Sequence, residues 1–90
     1  MSIKVVVSMD VKDFESFGKV FNGAGAKNAR ESVGLMAQAH KSLDAPSNAV
    51  VIGTAPSKEA FIGFLTTPEQ AERMKSAGVD STPTVTFLEN

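Results

Sequence analysis

His40 is the only histidine of the 90-residue chain. Imidazole titrates near neutral pH, so His40 is the first candidate for a general acid, a general base or a hydrogen-bond partner to a ligand. Ser8, Gln38, Thr84 and Thr86 fall on the same alternating positions of predicted strands. A few such polar groups set among apolar neighbours suit a ligand pocket, or equally a hydrogen-bonded seam between two sheets. Arg30 could bind an anion, although Glu31 beside it and Lys27 nearby read as one solvated helix face. Phe14, Phe17, Phe21, Phe61 and Phe64 recur at helical spacing and are expected to be core, with no role as a stacking platform. No catalytic residue can be assigned beyond His40 as the best candidate.

Several chemistries are excluded by what is missing. Without cysteine there is no disulfide framework, thiolate metal site or thiol nucleophile. One histidine would need two or more carboxylates beside it to hold a metal, and no such spacing occurs, so neither metal nor cofactor is expected. Gly23-Ala24-Gly25 follows a predicted helix and lacks the lysine of a phosphate-binding loop. A net charge of -1 carries no electrostatic footprint for nucleic acid or an anionic membrane surface. The opening residues Met1 to Met9 form too short an apolar run for a signal peptide or a membrane span, and a cytoplasmic location is the default expectation.

The elements that must position these side chains follow from periodicity. Ile3 to Met9 alternates as a strand. From Asp10, expected to cap a helix, Val11, Phe14, Phe17 and Phe21 recur at steps of three and four residues. Gly23 and Gly25 break that helix, and a second stretch from about Ala26 to Val33 is closed by Gly34. Leu35 to Ser42 is a weak strand. The turn Asp44-Ala45-Pro46-Ser47-Asn48 returns the chain into an antiparallel strand over Ala49 to Thr54. Ser57 opens a third helical stretch, and Thr67, Pro68 and Gln70 form a capping box that restarts it. The continuation is expected to bury Ala71 and Met74 and to stop at Gly78, before a last strand from Thr84 to Leu88.

The order β-α-β-β-α-β predicts one α+β, ferredoxin-like domain over residues 1–90, with both helical segments on one face of a four-stranded antiparallel sheet. Ten Val, six Phe, four Leu and three Ile are enough for one core. The expected helix-facing set is Ile3, Val5, Val7, Leu35, Ala37, Val50, Ile52, Val85 and Phe87. Val6, Ser8, Met36, Gln38, His40, Val51, Thr84, Thr86 and Leu88 remain on the other face, where Lys4 is the one fixed charge. That face covers roughly 300 Å² at ordinary strand spacings. Were it wholly apolar, burying it would contribute up to roughly 8 kcal/mol gross per chain. Leaving such a face in water is a poor solution for a small domain, so the expectation is a two-fold homodimer with the two sheets face to face. The RNA-recognition domains that share this topology place aromatics on the third strand, where this chain has Val50, Val51, Ile52 and Gly53.

Specific residues also carry a resemblance. Phe64-Leu65-Thr66-Thr67-Pro68-Glu69, then Met74, Ala77-Gly78-Val79 and Pro83-Thr84-Val85-Thr86-Phe87-Leu88-Glu89, resemble the C-terminal half of the dimeric α+β barrel superfamily. These are relatives of antibiotic-biosynthesis monooxygenases and stress-responsive barrel domains. Arg30 four residues before Gly34, Asp44-Ala45-Pro46 running into Val50-Val51-Ile52, and Phe14 with Phe17 fit the same pattern. The resemblance implies a homodimeric barrel. It implies no single activity, because oxygenases, isomerases, haem-degrading enzymes and decarboxylases share the fold. Oxygenase chemistry in such barrels typically employs tryptophan and asparagine with histidine, whereas this chain has no Trp or Tyr, and Asn22, Asn28 and Asn48 fall at predicted loops or helix ends. The expected function is therefore binding of a small, mostly apolar molecule, with Ser8, Gln38, His40 and Thr86 as its contacts and turnover unassigned. The alternatives are a non-catalytic assembly or regulatory module and, last, a cofactor-independent monooxygenase.

Overall fold

A computed structural model describes residues 2–90. In chain order the elements are β1 (Ile3–Asp10), α1 (Phe14–Phe21), α2 (Ala24–Ser32), β2 (Met36–Lys41), β3 (Asn48–Ala55), α3 (Lys58–Leu65), α4 (Pro68–Ser76) and β4 (Thr84–Glu89). The strands form one sheet in the order β2-β3-β1-β4, and every neighbouring pair is antiparallel. The α+β, ferredoxin-like architecture expected from the pattern is the one observed, with each helical segment divided where the glycines and Thr67-Pro68 predicted.

Local chemistry sets the ends of the helices. The Ser57 hydroxyl accepts from the Ala60 amide at 3.1 Å, and the Thr67 hydroxyl from the Gln70 amide at 3.2 Å, with Pro68 in the first turn. Gly34 and Gly78 have φ of 75° and 80° and follow the ends of α2 and α4. At each end the chain folds back, Leu35 N–H donating to Arg30 C=O at 2.9 Å and Val79 N–H to Met74 C=O at 3.1 Å. A side chain at either glycine would be strained in this left-handed conformation. The cap of α1 differs from the expectation: Asp13, not Asp10, accepts from the Ser16 amide and hydroxyl at 2.9 and 2.8 Å. The physical reason lies in the sheet. Asp10 still pairs with Asn48 on β3, and Val11, 1% exposed, bridges to Val79, so the chain cannot turn into a helix until both are passed.

The core lies between the sheet and the helices and is built around Val5, Val7, Met9, Val11, Phe17, Leu35, Ala49, Val51, Ala55 and Ala77. This corrects the phase expected for β3. Val51 faces the helices and is buried, whereas Ile52 is 41% exposed and, with Val50, lies on the opposite face. The register agrees, since Val7 pairs with Val51 and Val6 with Ile52. Gly53 shows why the phase is fixed. A Cβ built there would overlap the Met36 carbonyl oxygen and lie 2.7 Å from the Ala37 Cα, so β2 closes over β3 at a point that admits only glycine. Two smaller expectations also change: Ala71 is exposed, and β2 begins at Met36, so that Leu35, buried as expected, precedes it.

Candidate ligand cavity between the helices and the sheet

The helix-facing side of the sheet is not completely filled. A cavity of about 90 Å³ lies between it and the four helices. Val5, Val7 and Val51 line it from the sheet, Phe17 and Phe21 from α1, Phe61 and Phe64 from α3, and Met74 from α4. The polar side chains on its wall are Thr54, Gln70, Arg30 and Arg73. None of these is a carboxylate, imidazole, thiol or phenol. The wall can therefore hold and orient a ligand, and can neutralise negative charge, but offers no conventional general base.

The two arginines arrive by equivalent routes. Arg30, on the last turn of α2, lays its guanidinium 3.9 Å from the centre of the Phe21 ring and donates from Nη2 to the Phe21 carbonyl at 2.9 Å. That carbonyl belongs to the end of α1, where helical partners run out. Arg73, on α4, lies over Phe64 of α3 at 6.0 Å, and its Nε donates to Gln70 Oε1 at 3.0 Å. In each half of the chain an arginine on the second helix thus folds back over a phenylalanine of the first, an arrangement that favours a cation above the negative face of a ring. Burial, and then the positive charge of Arg73, lower the pKa of Arg30 below the ordinary arginine value, while Glu31 opposes the shift. Both groups remain cations at neutral pH. The half-buried position of Arg30 departs from the solvated helix face that Glu31 and Lys27 suggested.

The residues singled out from sequence lie on the opposite face of the sheet. Ser8, Gln38, His40 and Thr86 all share the side away from the helices, as their alternation predicted, and none lines the cavity. Their register does not gather them. His40 and Ser8 stand in one row with Val50 between them; Gln38 and Thr86 stand in the next, separated by Ile52 and Val6. At about 4.8 Å between strands, the first pair is some ~10 Å apart and the second ~14 Å. His40 is exposed, and the Ser8 hydroxyl accepts from Asn48 Nδ2 at 3.2 Å, a contact that ties β1 to β3. Among the described residues, no group of three or more His, Cys, Asp or Glu side chains is placed to hold a metal ion. No helix among them is long and apolar enough to cross a membrane.

Sequence reasoning noted Arg30 and missed Arg73, Gln70 and the cavity. One signal was available. Arg30 lies four residues before Gly34 and Arg73 five before Gly78, each on the second helix of its half and each preceded by a phenylalanine-bearing helix.

No protein-family model and no curated protein matches the sequence. Solved structures do match along nearly the whole chain. A candidate antibiotic biosynthesis monooxygenase of Caulobacter crescentus superposes with a TM-score of 0.74 at 20% identity, covering 99% of this chain and 89% of that one. A monooxygenase of Streptomyces coelicolor, in complex with nanaomycin D, gives 0.71 at 22% identity over 99% and 87% of the two chains. The fold is that of the antibiotic biosynthesis monooxygenases. A cofactor-independent oxygenase of Streptomyces nogalater shares this monooxygenase fold with a TM-score of 0.71 at 17% identity, covering 99% and 94%. At these identities the likeness establishes the fold of the single chain and leaves activity to be argued from the site.

Proposed function

We propose that this chain is the subunit of a homodimeric α+β barrel that takes a small, mostly apolar molecule into the cavity between its helices and its sheet. The observation that carries this reading is the cavity: apolar on nearly all sides, with its few polar groups held in fixed positions. Its size argues for a modest ligand. A volume of about 90 Å³ is small beside the ~300–1,000 Å³ usual for drug-sized ligands. A short aliphatic chain or part of one ring matches it better than a fused polycycle.

The dimer is supported by the open face. Met36, Ile52 and Leu88 are exposed there, with Val6 and Val50 half-buried beside them. A second copy seated on this face would enclose Ser8, Gln38, His40 and Thr86 as polar groups of the seam, where a ligand contact by any of them would also have to lie.

Binding is favoured over turnover because the cavity wall bears no base. The names of the related structures favour an oxygenase as a second reading, in which the substrate would have to ionise without help from an acid-base side chain. Oxygen uptake above background with a naphthoquinol would establish that second reading in place of the first. The direct test is a titration of the labelled protein with 1-pentanol, followed by amide and methyl NMR. Saturable shifts centred on Val5, Val7, Phe17 and Met74 are expected; their absence would overturn the reading.

A further inference from the structure

The cavity has a charge character that apolar binding alone does not explain. Two cationic groups converge on an otherwise greasy wall, and each is already fastened. The contact to the Phe21 carbonyl uses one donor of Arg30, and the bond to Gln70 uses the Nε–H of Arg73, which leaves most of both guanidinium forks without a partner in these hydrogen bonds. The one carboxylate that acts on the charge of Arg30 is Glu31, its neighbour on α2, and its influence is weaker than that of Arg73. Two like charges held near each other in a partly desolvated place are unfavourable without an anion between them. Arg30 also borders a second, more polar groove of about 600 Å³ outside the cavity, where Asn22, Lys27, Glu31 and Gln38 lie beside it. It therefore stands where the apolar interior gives way to solvent.

We infer that the ligand of this cavity carries one carboxylate-like anionic group, gripped by the guanidinium forks of Arg30 and Arg73, with its hydrocarbon part inserted among the phenylalanines. This rests on the binding reading above and names the chemical class of the ligand. A planar carboxylate matches the arginine fork through paired charge-assisted hydrogen bonds. Because Phe21 and Gln70 already orient the two side chains, less rotamer freedom is lost when the anion arrives. The short hydrocarbon follows from the cavity volume of about 90 Å³. The class is thus a small monocarboxylate with a short hydrocarbon chain.

The test compares pentanoate with its neutral isostere pentanamide by NMR titration of the full chain at pH 7. Pentanoate is expected to bind about tenfold more tightly. Arg73→Gln should remove most of that preference, weakening pentanoate binding far more than pentanamide binding. Arg30→Gln should do the same, and Arg30→Lys should retain only part of it, because an ammonium is a point charge without the fork. The Arg73 side chain bonds to Gln70 Oε1 and not to the backbone, so its variant keeps the test valid if Arg30→Gln loosens the junction of α1 and α2. Equal affinities for the two probes, or a preference that survives Arg73→Gln together with Arg30→Gln, would overturn the inference while leaving the binding reading standing. If neither these probes nor 1-pentanol shifts the cavity residues, both fall.

Discussion

The two faces of the sheet are built from the same four strands and do opposite things. Toward the helices, Val5, Val7 and Val51 are buried and line a cavity whose wall also carries two arginines. Away from them, Val6, Val50, Ile52 and Leu88 are interleaved with Ser8, Gln38, His40 and Thr86, and no helix among the described residues covers them. The polar groups of the open face are scattered along rows set by strand pairing. Most of those on the covered face line one cavity because long side chains on two helices, Arg30 on α2 and Gln70 and Arg73 on α4, reach its wall. Chemistry-bearing residue types are therefore not the best guide to a site here. The backbone that carries them decides whether they converge.

The comparison breaks most sharply if the open face is not an interface. Ile52→Asp places one carboxylate per subunit at the proposed seam, and an unpaired buried charge costs about 3–5 kcal/mol. Sedimentation equilibrium is expected to show a dimer for the wild-type chain and a folded monomer for this variant, whereas a wild-type monomer at micromolar concentration would remove the seam from the account. Val51 is unsuited to this experiment, because it faces the core and a charge there would unfold the subunit.

On the covered face, Phe17→Ala should lower unfolding stability by about 3–5 kcal/mol in urea, since Phe17 is 4% exposed and stacks with Phe21 at 5.7 Å. A loss below about 1 kcal/mol would show that the cavity wall is already slack. Gly53→Ala should cost about 1–3 kcal/mol by the same measurement and weaken amide-exchange protection in β2 first, because the added methyl meets the backbone at Met36 and Ala37.

The smallest effect concerns neither face directly. Hydrogen bonds from the Ser16 hydroxyl and amide lower the Asp13 pKa below the ordinary aspartate value, helped by Lys19 and Lys41 and opposed by slight desolvation. A depressed carboxylate contributes stability that is complete above the unfolded pKa of about 3.9 and is lost as pH falls through the folded value. Asp13→Asn should flatten the acid limb of the stability profile and leave its neutral plateau nearly unchanged. An unaltered acid limb would show that the cap is not linked to protonation.

Much of the architecture was legible in the chain because local chemistry and tertiary structure agree. Asp44-Ala45-Pro46 makes the turn between β2 and β3, Thr67-Pro68-Gln70 starts α4, and Gly34 and Gly78 end helices with positive φ. The phase of β3 was not legible, because Val50, Val51 and Ile52 are all β-branched and apolar, and a run without alternation carries no phase. What fixes it is the close approach of β2 over Gly53, a contact between strands that is visible only once they are paired. Asp10 misled for a related reason: it is a good capping residue that the sheet retains. The arginines look like ordinary helix-surface charges in sequence. Their inward turn depends on Phe21 and Phe64 lying beneath them, which is a property of helix packing.

The central claim is that the ligand enters the helix-covered face, and intermolecular NOEs to bound 1-pentanol test it most directly. The account predicts cross-peaks from the alkyl protons to the methyl groups of Val5, Val7, Val51 and Met74. Cross-peaks to Val6, Val50, Ile52 and Leu88 instead would place the ligand between the sheets, beside His40 and Gln38, and would contradict it.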